Sequence, residues 1–514
     1  MTANRRRRVA VSDQVPPADP HRGPRRRPGG ATAEAVRPAA DPLAAVPRQA
    51  AGAEIVIRDP RDGTLVGHLA PSTAEEAVRA IERARANQPG WRRTPAARRA
   101  AALREVAARL RRNAEDLAAL NARETGRPLT EAREGVAAGV ATLEQYAELG
   151  PLHRGRSLMG DPAATDVMVA EPRGVVVVLT PWNDPVAVSC GLVGAALATG
   201  NTVVYKASER SPFTGRLFAE LAAADLPEGV LAAVHGGAPM GAALVADPRV
   251  DVVAHVGSTR TGRAIREVAG RTGAKALLEN GGNDPLIVDA GVDPAWAAEQ
   301  AALGSFANSG QICTSVERIY VHRSLAEPFL DLLTEQAARR VPESAAEEEV
   351  EMGPLVDRAH RDHVHAHVRA AVEAGARCLV GGELPEGPGA YYPATVLTGC
   401  TPDMALLREE TFGPVAPVRI VDGFDQALLE AADDRYGLAA TVLTASMEHA
   451  QRAFRELPVG TVKVNAVFGG APGGAAHPRR GSGQGYGYGP ELLDEMTVTK
   501  VLHLGLPRRA DPAR

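Results

Sequence analysis

Val175-Val176-Val177-Val178-Leu179 is an unbroken run of five aliphatic residues, four of them β-branched. A run so short and so continuous predicts a strand covered on both faces, because a half-exposed strand alternates apolar with polar side chains. The chain that follows fixes the fold class. A helix-like stretch at Val186–Ala198 ends at Gly200, and a strand at Thr202–Lys206 follows. Next come a helix from Pro212 to Ala224, a strand at Val230–Val234, a short helix at Met240–Ala246 and a strand at Val252–Val256. Gly257–Gly262 leads into another helix and the strand Ala276–Leu278. Strands alternating with helices predict a parallel sheet with right-handed crossovers, hence a doubly wound α/β fold. Its ligand, commonly a nucleotide, is expected beyond the carboxyl ends of the strands.

The rest of the chain frames that unit. Glu54–Gly67 reads as two short strands around an Asp62-Gly63 turn. Ser72–Arg85, Pro95–Asn113 and Ala114–Thr125 carry helical periodicity, and Gly126 and Pro128 form a stop signal. A second α/β stretch runs from about Leu286 to Val464. Within it Asp293 and Pro294 open a helix that ends at Asn308-Ser309-Gly310, just before Cys313. Thr497–Leu504 is strand-like and suits a pairing edge for another subunit. A chain of 514 residues implies two or three domains.

Composition excludes several functions. With 45% hydrophobic and 23% charged residues the chain is of globular type, and a net charge of -4 gives no general attraction to nucleic acid or anionic membrane. No apolar run reaches the ~18 residues that a membrane-spanning helix needs. The four cysteines (Cys190, Cys313, Cys378 and Cys400) form no metal-ligand pair, and they suit free thiols in a reducing cytoplasm. Lysine occurs only at 206, 275, 463 and 500, so a lysine inside a motif carries information. The first fifty residues differ in kind: ten arginines against four acids, with dense proline and alanine. Such a segment buries too little apolar surface to offset its ordering entropy, and disorder is expected over 1–50. A transit peptide or a nucleic-acid-binding arm would also be Arg-rich. This segment lacks an amphipathic face, and prolines break its basic blocks, so a solvated or misassigned start is the simpler reading.

Three fragments carry candidate chemistry, and each is ambiguous alone. Gly257–Gly262 exposes backbone N–H groups at a helix start, which suits a phosphate but also describes an ordinary strand–helix turn. Cys313 follows a glycine-containing loop, where a thiol ionises more readily than in a core, yet most lone cysteines are packing residues. Glu279 stands where a strand ends, followed by Asn280-Gly281-Gly282. That setting suits a general base or an ordinary loop glutamate.

Together these pieces resemble the aldehyde dehydrogenase superfamily from about Glu54 to Leu506. Thr180-Pro181-Trp182-Asn183-Asp184-Pro185 looks like its proline-tryptophan-asparagine turn, and Gly200–Glu209 is similar to its adenosine-binding segment. Leu278–Gly282 matches the glutamate motif, Asn308–Thr314 the cysteine motif and Glu409–Val415 the nicotinamide-ribose motif. Cys313 follows Glu279 by 34 residues and precedes Glu410 by 97, in keeping with the family. The resemblance implies a Rossmann-like cofactor domain (51–148 and 173–278), an α/β catalytic domain (279–482) and a small β element for oligomerisation (149–172 and 483–506). A tail would remain at 507–514. It implies NAD, with NADP allowed, and oxidation of a small-molecule aldehyde to its acid. Cys313 would be the nucleophile, Glu279 the base that activates water, and Asn183 with the Cys313 N–H the oxyanion donors. Lys206 and Glu209 would meet the adenosine ribose, where a glutamate favours NAD over NADP. Gly257, Ser258 and Gly262 would line the pyrophosphate, Glu410 would hold the nicotinamide ribose with Phe412 beside it, and Trp182 and Ser208 complete the cofactor set. The subunit count implied is a homodimer or homotetramer.

The chain departs from the family at three places. Asp184 stands where an aromatic residue often lines the aldehyde tunnel, which points to a polar or cationic aldehyde or to a surface-turned side chain. Asn280 replaces the usual leucine after the glutamate. The Pro-Phe-Gly-Gly loop near the C-terminus is missing: counting without gaps puts Ala475-Ala476-His477-Pro478 there, and with gaps Pro472-Gly473-Gly474 is a degenerate copy. Asn283-Asp284-Pro285 is similar to the branch acting on phosphonoacetaldehyde, lactaldehyde and glyceraldehyde phosphate. Ile312 replaces the arginine that phosphate-binding members place before the cysteine, which disfavours a phosphorylated substrate, although Arg260 or Arg318 can supply charge. His360, His363, His365 and His367 have partly metal-like spacing, but Ala359–Ala374 reads as an exposed amphipathic helix without a carboxylate in register, and no metal is expected. Two other functions share the pattern: an acylating enzyme that passes the thioester to coenzyme A, against which Glu279 argues, and a silent scaffold, against which the intact site argues.

Overall fold

The structure is a computed structural model that describes residues 54–342, 350–469 and 474–507. The Arg-rich start, Pro472-Gly473 of the degenerate loop copy and the tail from 508 lie outside the described residues.

Val175–Leu179 is buried at every position and lies inside a six-stranded sheet. It runs parallel to Thr202–Lys206 on one side and to Val252–Val256 on the other. Leu231–Ala233 and Lys275–Glu279 extend the parallel array outward, and Gly483–Gln484 closes one edge antiparallel to Glu279 and Leu278. The chain leaves the first strand in one direction and returns on its other side. That makes a topological switch point between Val175–Leu179 and Val252–Val256. The loops beyond those two strands, Thr180–Asp184 and Gly257–Ser258, therefore border one crevice.

A seven-stranded sheet holds the second α/β stretch. Thr395–Thr398, Val415–Val421, Val316–His322, Asp284–Val288, Ala439–Leu443 and Thr461–Val464 are parallel neighbours, and Arg377–Val380 adds an antiparallel edge. A third sheet of three antiparallel strands pairs Thr497–Leu504 with Thr165–Pro172, which also pairs with Arg156–Leu158. Among the described residues Thr497–Leu504 thus has one strand partner and one unpaired edge.

Helices flank the first sheet. The helix expected at Ser72–Arg85 runs from Ala74 to Arg93 with Pro89 inside it, capped by a reciprocal Thr73/Glu76 box. The stop at Gly126-Arg127-Pro128 proves to be a junction: Gly126 ends one helix in left-handed geometry, and Pro128 starts another at Leu129–Leu149. That 21-residue helix packs its Gly139 close to Cys190 and Ala187 of helix Pro185–Ala198, where a side chain would crowd both. Asp293 caps the helix Pro294–Phe306 by accepting from Ala295 N at 3.0 Å.

Candidate active site

The nucleophile candidate is placed by a backbone that few sequences tolerate. After Phe306, residues Asn308, Ser309 and Gly310 take φ values of 45°, 55° and 71°. Two consecutive non-glycine residues in the left-handed region cost free energy, and such strain persists only where the surroundings hold it. Here they do. Asn308 N donates to Glu131 Oε1 at 3.1 Å, Ser309 Oγ to the Gly353 carbonyl at 2.7 Å, and Gln311 Nε2 to the Asn308 carbonyl at 3.0 Å. Gly310 faces the Gly413 carbonyl so closely that any side chain would overlap it. The loop delivers Cys313 to the wall of a cavity of about 510 Å³.

Three side chains meet on that cavity. Asn183, in the loop after the first strand, donates from Nδ2 to the Gln311 carbonyl at 3.0 Å, which ties it to the Cys313 loop and leaves its second N–H available. Glu279, at the carboxyl end of its strand, lines the same cavity. Burial alone raises its carboxyl to about 7. The Cys313 thiol, partly exposed to the cavity, is pushed up to about 12, first by burial and then by the carboxylates of Glu279, Asp284 and Glu410, with Lys463 opposing. Cys313 therefore rests as a thiol, and Glu279 titrates where a proton acceptor is useful at neutral pH.

The edge strand Gly483–Gln484 decides where the glutamate lies. Asn280 N donates to the Ser482 carbonyl at 2.9 Å and Asn280 Nδ2 to the Gly481 carbonyl at 3.1 Å. The amide that replaces the family's leucine thus fastens the glutamate loop to the C-terminal segment. That segment brings Gly487 against the Glu279 carboxylate, so close that a side chain there would have to displace it, and Tyr488 onto the cavity.

Trp182, Gly257, Ser258, Glu410 and Phe412 share the cavity with Asn183, Glu279 and Cys313. Glu410 Oε1 accepts from Gly282 N at 3.1 Å, and Gly281 lies so close to that carboxylate that a side chain there would have to displace it. Phe412 has φ 55°, and its ring meets Trp182 edge-on at 5.5 Å. Lys206, Ser208, Glu209 and Gly262 do not line this cavity. Lys206 is buried, with Nζ donating to the carbonyls of Ala207 at 2.8 Å and Gly236 at 2.9 Å, and Glu209 Oε2 is 3.7 Å away. Burial lowers its ammonium, and Glu209 opposes that shift. Glu209 lines a neighbouring cavity of about 530 Å³ that shares Arg210 with the first. Ser208 Oγ accepts from Arg210 N at 3.2 Å within a turn, and Gly262 gives room to the Asn280 side chain.

The residues fit a dinucleotide. Ser258 caps the helix Thr259–Thr272 by accepting from Thr261 N at 3.3 Å, so the first turn of a 14-residue helix opens at the crevice with its N–H groups unpaired along the helix. The Thr259 hydroxyl there is buried and has no hydrogen-bond partner.

Several residues at the site were not read as site residues from the sequence. Glu317, buried behind the turn, accepts from Thr411 N at 2.6 Å and Phe412 N at 2.9 Å, which fixes the strained peptide next to Glu410. His360 is not on an exposed face. Its Nε2 lies 2.7 Å from the Phe412 carbonyl, its ring meets Trp182 and Phe412, and burial lowers it to about 4. The helix, Arg358–Glu373, is amphipathic as expected, but its first turn lies under the Phe412 turn, so His360 and His363 face the cavity. Arg127 and Tyr488 also line it. A signal existed for Tyr488 alone, in the repeat Gly485-Tyr486-Gly487-Tyr488-Gly489. Among the described residues no group of three or more metal-ligating side chains occurs, and no helix is long and apolar enough to cross a membrane.

Comparison with known proteins gives the same picture from outside the chain. The model of the aldehyde dehydrogenase family matches residues 47–502. An aspartate-semialdehyde dehydrogenase (non-phosphorylating) of Halomonas elongata is 35% identical over 459 residues, covering 88% of this chain and 93% of that protein. The lactaldehyde dehydrogenase of Escherichia coli is 33% identical, covering 88% of this chain and 95% of that protein, and its crystal structure superposes with a TM-score of 0.84. The crystal structure of an NAD-dependent aldehyde dehydrogenase from Sinorhizobium meliloti, 32% identical, covers 90% of this chain and 94% of its own, with a TM-score of 0.86.

Proposed function

The chain belongs to the aldehyde dehydrogenase family, and from that membership we propose that it oxidises a small-molecule aldehyde to its carboxylic acid with NAD, through a thioester on Cys313 that water hydrolyses. The observation that carries the reading is convergence: Asn183 and Cys313 from two separate loops and Glu279 from the end of a strand line one cavity at the sheet's switch point.

Each step falls to a residue of that wall. Cys313 Sγ adds to the aldehyde carbon after losing its proton, and Glu279 is the neighbouring carboxyl group that titrates near neutrality to receive it. The free N–H of Asn183 Nδ2 and the Cys313 backbone N–H hold the oxygen as it gains charge, a contribution of about 10²–10³ in rate per donor. Conversion of the thiohemiacetal on Cys313 to a thioester needs a hydride acceptor, which NAD would supply when bound. Glu279, once it has passed the first proton to solvent, takes one from water; the oxygen adds to the acyl carbon, and the acid leaves as the Cys313 sulfur is expelled and takes that proton back from Glu279. Glu410 and the Phe412 turn would hold the nicotinamide ribose, and Lys206 with Glu209 the adenosine ribose. The Glu209 carboxylate supports NAD over NADP, since it would repel a 2′-phosphate.

Glu279 also supports hydrolysis over transfer to coenzyme A, because a water-activating base is then needed. NADH absorbance over an aldehyde panel, with and without coenzyme A, tests the reading. Acid formation without coenzyme A, lost in Cys313→Ala, is expected; equal NADH from both proteins would overturn it. We further infer a homodimer or homotetramer in the cytoplasm. The free edge strand Thr497–Leu504 exposes Val498, Val501, Leu502 and Leu504, and all four cysteines are unpaired thiols. A monomer in sedimentation would sink the assembly claim.

A further inference from the structure

One part of the cavity wall is not used by the proposed reaction. Asp184 stands at the position that opens helix Pro185–Ala198. An aspartate there ordinarily turns its carboxylate onto the free N–H groups of the first turn. Asp184 makes no such bond. Its Oδ1 lies 2.9 Å from Arg127 Nη1, and that same Nη1 donates to the Asn183 carbonyl at 3.1 Å. The pair is layered: the Arg127 side chain is 10% exposed and that of Asp184 32%, so the carboxylate is the accessible member.

The surroundings are arranged for this pair. A methyl group on Gly135 would lie 2.7 Å from Asp184 Oδ1 and 3.1 Å from Arg127 Nη1, so the glycine leaves room for both. Glu131 Oε2 is 3.9 Å from Arg127 on another side, which leaves the guanidinium between two carboxyl groups. Yet the hydrogen-bonding capacity is not used up. Asp184 Oδ1 is buried against Arg127, while the carboxylate as a whole keeps about a third of its surface open on the cavity. A carboxylate surface left open there can accept from a donor that a ligand brings, and an ionised acceptor makes the stronger bond. The neighbouring lining residues Val188 and Ile312 are aliphatic and offer no competing side-chain acceptor.

We propose that Asp184, braced by Arg127, is a specificity-determining residue that selects aldehydes carrying a hydrogen-bond donor, a hydroxyl or an ammonium group, near the carbonyl. The inference rests on the aldehyde oxidation proposed above and names its substrate class. Aldehydes that carry a carboxylate are disfavoured at this part of the wall, because Asp184 stands in front of the Arg127 guanidinium that would receive it. A site built to accept a substrate donor rejects the analogue lacking it far more strongly than an apolar pocket rejects a missing methylene.

The test compares kcat/KM for propanal, 3-hydroxypropanal, 3-aminopropanal and 3-oxopropanoate in wild type, Asp184→Asn and Asp184→Leu. Wild type is expected to favour the hydroxy or amino aldehyde over propanal by about tenfold or more, with 3-oxopropanoate poorest. Asp184→Leu should bring that preference close to one while propanal is still oxidised. Asp184→Asn separates the two donor types: it keeps a hydroxyl preference and loses an ammonium one. Should the leucine variant not fold, the near-isosteric asparagine variant decides, because loss of the charge must lower the amino preference or relieve the exclusion of 3-oxopropanoate several-fold. Ratios unchanged in the variants overturn the inference and leave the oxidation standing. No NADH from wild type with any aldehyde would overturn the oxidation itself, and the inference with it.

Discussion

The cavity has two kinds of wall, and they are built by opposite means. Where the cofactor is proposed to bind, the wall is backbone held in fixed turns: Gly257-Ser258 before a helix, Gly281-Gly282 against Glu410, and Phe412 at φ 55° clamped by Glu317. Where the aldehyde is proposed to bind, it is made of single side chains from widely separated segments: Arg127, Asp184, Val188, Ile312 and Tyr488. A backbone wall demands particular residues in sequence order, since only glycine tolerates the close approach of a backbone carbonyl at 310, and a side chain at 281 would displace the Glu410 carboxylate. A side-chain wall demands only volume and polarity at each point, so it can change one residue at a time. The lesson is that the reaction type is fixed by the first wall and the choice of aldehyde by the second.

That contrast breaks most sharply at the seam, where changes should remove turnover whatever aldehyde or cofactor concentration is used. Cys313→Ala is expected to lower NADH formation by about 10³-fold or more. Retained activity on saturating NAD would mean that another group attacks the aldehyde. Glu279→Gln comes next, with steady-state turnover down by about 10²–10⁴-fold but a first burst of NADH preserved. With Glu279 raised to about 7, the wild-type rate should climb through an ascending limb centred near that pH, and the limb should vanish in the glutamine variant. The same raised carboxyl binds its proton more tightly folded than unfolded. Its contribution to stability is thus full below about pH 4.5 and lost as the pH rises through about 7.

The two walls differ equally in how legible they were. Val175–Leu179 announced a central strand, and the strand-like stretch Thr497–Leu504 is a strand with those bounds. The turns around Asn183, Glu279, Cys313 and Glu410 are contiguous motifs, so their residues could be named before their positions were known. Helix Leu129–Leu149 was not legible. Gly126 and Pro128 look like an ending, while Gly135 and Gly139, which weaken a helix by propensity, are there to admit the Asp184–Arg127 pair and the helix Pro185–Ala198. Arg127 could not be read as a site residue, because its partner lies 57 positions away and is brought to it only by the packing of that helix. His360 was read as solvent-facing because helical periodicity gives the polar face but not what covers it.

Glu317 gives a sharper separation of the walls. Its two carboxylate oxygens receive the N–H groups of Thr411 and Phe412, and burial and the nearby Glu410 raise its carboxyl. Glu317→Gln keeps one acceptor and sets an amide N–H against the other donor. About a tenfold rise in the KM for NAD is expected, with the ratio of kcat/KM between hydroxy and plain aldehydes unmoved. Glu317→Asp, shorter but still doubly accepting, should recover part of the loss. A change in the aldehyde ratio instead would show that the walls are mechanically one.

The smallest expected effect lies one layer further out, and it tests how far the backbone wall extends. A carbonyl oxygen only accepts, so the 2.7 Å contact between His360 Nε2 and the Phe412 carbonyl requires Nε2 to carry the proton. Burial lowers the imidazole to about 4, so this bond is made by the neutral ring at every pH where the enzyme is studied. Because the folded value lies below the unfolded one, the ring's contribution to stability is present above about pH 6.5 and fades as the pH falls toward 4. His360→Leu removes one neutral hydrogen bond and two ring contacts on the far side of the clamp from Glu317. The KM for NAD should rise by about threefold, evenly from pH 6 to 9, with the aldehyde ratio again unchanged. An effect as large as that of Glu317→Gln would mean that the ring, not the carboxylate, holds the strained turn, and the wall would then have to be redrawn around the helix Arg358–Glu373.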